Sequence, residues 1–155
     1  MRTKICLSFL FIILSAFFSG AYSQLSSQGN IHVNGGGTAI EGGARSTFVF
    51  NAVKNQSGII GHLVYHLRVF DVRFHMDLDC LEISGNRATM SGTVTTVSGP
   101  NIPSYIFPGS RASFTVEDNG NGGNKDWISD VVFGANCTDD LDTYIRVQGN
   151  ISIKN

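Results

Sequence analysis

Gly61–Leu78, GHLVYHLRVFDVRFHMDL, decides the fold. Leu63, Tyr65 and Leu67 alternate with His62, Val64 and His66, the period of two expected for a β-strand. Phe70, Val72, Phe74, Met76 and Leu78 then alternate with Asp71, Arg73, His75 and Asp77. The apolar positions are odd before Leu67 and even from Phe70. A period-two pattern cannot change face by itself, so a tight turn or bulge is required between the two runs. Two alternating segments joined so closely predict an antiparallel pair with one apolar and one wet face.

The same pattern continues outward in both directions. Upstream, Gly29–Val33 reads as a first strand ended by Gly35-Gly36-Gly37, and Ser46–Val53 places Phe48, Phe50 and Ala52 on one face. Downstream, Cys80–Ile83 extends or restarts the strand, and Ser84-Gly85-Asn86 is a turn. Arg87–Val97 is a Thr-rich strand, and Gly99–Pro108 is a loop holding all three prolines. Ala112–Asp118, Trp127–Phe133 and Tyr144–Ile153 read as further strands. Asn119–Lys125 is a Gly/Asn connection and Cys137–Asp142 an acidic loop. No helical period appears. Short strands at this spacing predict an all-β antiparallel barrel of about eight to ten strands, with a β-sandwich as the alternative. Gly149-Asn150-Ile151-Ser152-Ile153 echoes Gly29–Val33. Both would be edge strands, so pairing them would close the sheet.

The N-terminal residues carry Arg2 and Lys4, an apolar run Ile5–Phe18, and a cleavage-like Ala21-Tyr22-Ser23. This is the pattern of a signal peptide over residues 1–23, leaving 24–155 as one exported domain. The apolar run is short for a membrane span, which takes about 20 residues. Removing Arg2 and Lys4 leaves 9 of the 11 basic residues against 12 acidic ones, a net charge of −3. With no basic cluster, nucleic acid is not an expected partner, and no membrane insertion is expected. The expected partner is an unidentified extracellular molecule or small ligand. Of three cysteines, Cys6 falls in the signal. The remaining even pair, Cys80 and Cys137, is expected to bridge in an oxidising secreted or periplasmic setting.

Several stretches together resemble a group of small secreted bacterial β-rich proteins. They are GHLVYH at 61–66, FHMDLDCL at 74–81, SGNRA at 84–88, VEDNGNG at 116–122 with Asp126, then Cys137 and a closing Gly149-Asn150-Ile151. The group pattern runs GHL-x-YHD, FH-x-D-x-x-CL, GN-x-A, DNGEPG…D, Cys, G-x-I. Leu67 departs from its Asp, and Asn121-Gly122-Gly123 from its Glu-Pro-Gly. The resemblance implies a secreted β-rich fold and the Cys80–Cys137 pair. It implies no catalytic residues.

Three clusters carry the chemistry available to sequence reading. His62 and His66, four residues apart on a strand, lie about 13 Å apart. They would need His75, Asp71 or Asp77 to complete a polar or metal-binding cluster. Asp118, Asn119, Asn121, Asn124 and Asp126 offer oxygen ligands of the kind calcium takes. However, the EF-hand spacing is absent, and Asn-Gly is ordinary turn chemistry. Asp139, Asp140 and Asp142 read as a solvated acidic loop. No nucleophile elbow, metalloprotease helix or phosphate loop occurs. The sequence therefore predicts no cofactor other than calcium as a minor candidate, and no catalytic residue. The expected function is a secreted, non-enzymatic binding or structural domain. The alternative is a barrel with an internal pocket, lined by Tyr65, Phe70, Phe74 and Trp127, that carries an apolar ligand or catalyses an isomerisation or cyclisation.

Overall fold

In the computed structural model, residues 29–120, 124–139 and 141–154 are described; the predicted signal peptide lies outside them. They form nine strands: β1 Ile31–Glu41, β2 Ala44–Asn55, β3 Gly58–Leu67, β4 Val72–Ser84, β5 Arg87–Ser98, β6 Arg111–Glu117, β7 Trp127–Ile128, β8 Val132–Phe133 and β9 Ile145–Lys154. Among the described residues no helix is long and apolar enough to cross a membrane.

All pairings are antiparallel. β1 to β6 form a meander, β6 passes through β7 to β9, and β9 returns to β1. Eight strands close into a barrel, with β8 beside β6 as an extra strand. The closure joins the two echoing segments, with Val33 opposite Ile153 and Gly35 opposite Ile151.

The barrel is filled rather than hollow. Phe50, Phe114, Met76, Met90, Leu63 and Leu81 are all fully buried in it. A chain of aromatic rings runs through it. Phe114 meets Phe50 edge-on at 5.5 Å, and Phe50, Phe48, Tyr65 and Phe74 follow at 6.2, 6.4 and 5.4 Å. Phe48, Tyr65 and Phe74 are direct cross-strand neighbours, the unit by which side chains stabilise a sheet.

Four sequence expectations need correction. First, Gly35-Gly36-Gly37 does not end β1; the strand runs on to Glu41. A Cβ on Gly35 would stand 2.9 Å from both the Phe50 ring and Ile151. The glycine makes room for the large ring opposite it, a use of strand glycine that needs no unusual dihedral. Second, the face change after Leu67 is a turn over Arg68–Asp71, so Val69 and Phe70 are not in a strand. Phe70 is exposed instead of sharing the Phe74 face. Third, Trp127–Phe133 is not one strand. At Ser129 the chain bulges, and the Ser129 hydroxyl accepts the Thr115 amide at 2.8 Å in place of a ladder partner. Fourth, Trp127 does not face a pocket; it lies beneath the Arg146 guanidinium, 5.2 Å from ring centre to Cζ.

A second bulge aims the disulfide. The register of β4 against β5 shifts between Leu78 and Cys80, so Leu81 points inward and Cys80 turns toward the outer surface. There it bridges to Cys137, with 5.9 Å between Cα atoms. The bridge is consistent with an extracellular or periplasmic location. It fastens the segment before β9 over the outer face of β5 and β6. Leu141 donates its amide to Thr115 Oγ1 at 3.2 Å, and Arg87 donates to Leu141 O at 2.8 Å. This cover explains why Thr89, Ser91, Ser113 and Thr115 are buried although they point away from the barrel core.

Candidate functional site

The Asn/Gly loop binds the chain itself. Asp118 Oδ1 accepts the Gly120 amide at 2.9 Å and Oδ2 the Ile153 amide at 3.0 Å. Asp126 Oδ1 accepts the Asn119 amide at 3.0 Å and Oδ2 the Ile151 amide at 2.7 Å. All four carboxylate oxygens therefore hold backbone N–H groups. Two of these tie the β6–β7 hairpin to the closing strand. Asn119 and Asn124 extend the turn: Asn119 Nδ2 donates to Lys125 O at 3.2 Å, and Asn124 has a φ of 69°. Asn121 lies outside the described residues. The DNG…D spacing is thus a closure device.

The histidines lie on the outer face of β3 and β4. The register sets His62 opposite Asp77, Val64 opposite His75 and His66 opposite Arg73. His66 Nε2 and Asp71 Oδ1 are 3.1 Å apart, a contact that tethers the β3–β4 turn. The five residues do not converge. Among the described residues, the one trio of His, Cys, Asp or Glu with ligand atoms within 4.8 Å is Cys80, Glu82 and Cys137, and its two sulfurs are bonded to each other. In the acidic loop, Asp139 accepts the Asn136 amide at 2.8 Å and Asp142 is exposed. Asp140 lies outside the described residues.

The feature that sequence reading missed is one end of the barrel. At this mouth come together the β1–β2 turn, the β3–β4 turn, the β5–β6 loop, the 129–134 segment and the start of β9. A cavity of about 330 Å³ opens there, walled by Tyr65, Leu67, Phe74, Tyr105, Phe133 and the segment 130–132. Phe133 bridges inner and outer rings, 5.7 Å from Phe74 and 5.4 Å from Tyr105. A smaller hollow of about 60 Å³ adjoins it through Tyr65, Leu67 and Asp130, and reaches Glu41.

Exposed apolar side chains gather around this opening. Ten large ones are exposed among the described residues, and eight lie on or beside the connections at this end. They are Ile40 beside the first turn, Val69 and Phe70 in the second, Ile102, Tyr105 and Phe107 in the β5–β6 loop, Val132, and Tyr144. Val49 and Ile60 are the two elsewhere. A monomeric surface scatters such residues singly; their concentration at one end marks a contact site. The tyrosine hydroxyls stand among carboxylates. Tyr144 donates a hydrogen bond to Asp130. That bond, with burial and Glu41 nearby, pushes the Tyr144 hydroxyl well above its ordinary value. Burial raises Tyr65, and the charges of Asp130 and Glu41 add to the effect.

Another hollow, of about 370 Å³, lies on the outer wall against the disulfide, between Glu82, Arg87 and Thr138. It lacks an aromatic wall. No family model, curated protein or solved structure matches the chain.

Proposed function

We propose that this protein is a secreted, non-enzymatic binding domain whose ligand end is the barrel mouth. One observation carries the reading: most of the exposed large apolar side chains and the cavity with aromatic residues in its wall occupy the same end of the barrel. Small-ligand sites are concave, mainly apolar and furnished with a few fixed polar groups, and barrel mouths are a preferred place for them. The cavity has that composition, with Asp130 as its ionic group. The densely packed interior favours this over a pocket inside the barrel, because Phe50 and Phe114 take the central space. The signal-like N-terminus and the buried bridge support export. We also retain membership of the small secreted bacterial group as a proposal. Its DNG…D and closing G-x-I elements fall on residues that join the barrel seam here.

The test is an amide chemical-shift titration of the purified protein with 2-phenylethanol. Shifts should concentrate at Tyr105 and residues 130–133, and Tyr105→Ala should weaken them. Shifts confined to the outer wall near Glu82 and Thr138, or none at all, would refute the mouth as the ligand end.

A further inference from the structure

We infer that the mouth selects an organic cation, an amine or quaternary ammonium carried on an apolar or aromatic body. This rests on the mouth being the ligand end and adds the chemical class of the ligand.

The charge bordering the two hollows is of one sign, while Arg45, Arg68 and Arg73 stand on or beside the connections at this end without bordering either. Of the residues bordering the two adjoining hollows, the only Asp, Glu, Lys, Arg or His residues are Asp130 and Glu41, both acidic. No Lys, Arg or His borders either among the described residues. Asp130 borders both hollows, and Glu41 borders the smaller one. The Tyr144 hydroxyl bonds to Oδ2 of Asp130 and orients that carboxylate.

The remaining wall is apolar, half of it aromatic and half aliphatic. Tyr65, Phe74, Tyr105 and Phe133 border the wide cavity, and successive rings among them touch. Aromatic faces carry negative potential and attract cations, most strongly where water is displaced. A ring wall with carboxylates at one side is therefore complementary to a positive head on an apolar body. An anionic ligand would meet repulsion at the same place. A neutral apolar ligand would leave Asp130 facing a non-donor, at a desolvation cost. The volume of about 330 Å³ suits a molecule of one or two rings.

The experiment compares benzyltrimethylammonium, benzyl alcohol and phenylacetate on the purified protein, by amide chemical-shift titration. The cation should bind about tenfold tighter than the alcohol, with phenylacetate weakest. Shifts should centre on Tyr105 and residues 130–133. Asp130→Asn should bring the cation and the alcohol to within about twofold of each other, with the alcohol little changed. Glu41→Gln should reduce the gap in the same direction and decides the matter if Asp130→Asn disturbs the fold. Equal binding of cation and alcohol at the mouth would overturn the inference while leaving the mouth as the ligand end. A preference that survives both substitutions, or cation shifts centred on His62 and Asp77, would also overturn it. No binding of any probe at the mouth would remove the underlying reading as well.

Discussion

Asp126 Oδ2 accepts the Ile151 amide at 2.7 Å from a position only 3% exposed, so a side chain on the β6–β7 hairpin holds the strand that closes the barrel. Its other oxygen holds the Asn119 amide, and its backbone carbonyl accepts the Val147 amide at 2.9 Å. Asp126→Ala would strand two amides that now bond to a charge. The expected loss is about 3 kcal/mol, measured by urea unfolding. Asp126→Asn, which keeps one acceptor oxygen, should fall between. A loss under about 0.5 kcal/mol would mean that water satisfies these amides equally well.

The same geometry predicts indifference to calcium. The oxygens of Asp118 and Asp126 already accept four amides, and a cation would have to displace them. A ligand at 100-fold its Kd adds about 2.7 kcal/mol, several degrees in a domain of this size. The melting temperature should be the same in calcium and in excess chelator. A calcium-dependent rise that disappears in Asp118→Ala would contradict this.

Reduction should loosen the outer cover before the barrel. Thiol labelling of the folded, unreduced protein should find neither Cys80 nor Cys137. Replacing both by serine should cost about 2–5 kcal/mol. In hydrogen exchange, the Leu141 amide, now held by Thr115 Oγ1, should lose protection while the Phe50 and Leu63 amides keep theirs. Uniform loss across all strands would show that the bridge supports the barrel as a whole.

Gly35 and Phe50 should be energetically coupled. A Cβ on Gly35 would meet the Phe50 ring and Ile151 Cγ1 at 2.9 Å. Gly35→Val should destabilise by about 2 kcal/mol through overpacking. In the Phe50→Leu background the same substitution should cost clearly less, a coupling on the order of 1 kcal/mol. Strict additivity would place the strain elsewhere in β1.

Acid should weaken the outer cover through Glu117 and Asp79. The Thr143 hydroxyl, donating at 2.8 Å, holds the Glu117 carboxyl below its usual range, with Arg87 adding to the effect. Arg111 does the same to Asp79 through bonds of 2.7 and 2.8 Å. Each folded value is lower than the unfolded one, so the unfolded chain binds more protons below about pH 4. Stability from these groups is complete above that pH and is lost as pH falls through the folded values. Glu117→Gln should flatten the fall in urea midpoint between about pH 4 and 2.5, with little change in its slope with pH above 5.

The alternation at 61–78 was enough to establish strands, their wet and dry faces, and the need for a turn after Leu67. Period two is a local property, imposed by the pleat on each strand separately. The likeness of the first and last strands, and the even cysteine count after the expected signal, correctly matched partners far apart in sequence. What a glycine does was not legible. Gly35 and Gly120 are the same letter, yet one makes space inside a strand and the other, with a φ of 88°, forms a turn. Nor was the role of the carboxylates. Asp118 and Asp126 looked like cation ligands because their partners are backbone amides of the turn and of β9, and every residue but proline carries such an amide.

Composition and periodicity in the chain by themselves determined an all-β antiparallel fold, its strand faces and its single bridge, because each follows from local alternation or from counting. Tertiary structure alone decided the rest. Closure brought five separate connections to one end, so exposed residues scattered from Ile40 to Tyr144 came to lie at the same end as one cavity. No local pattern encodes such a gathering. It arises from the ring of strand pairings, which sets residues distant along the chain side by side.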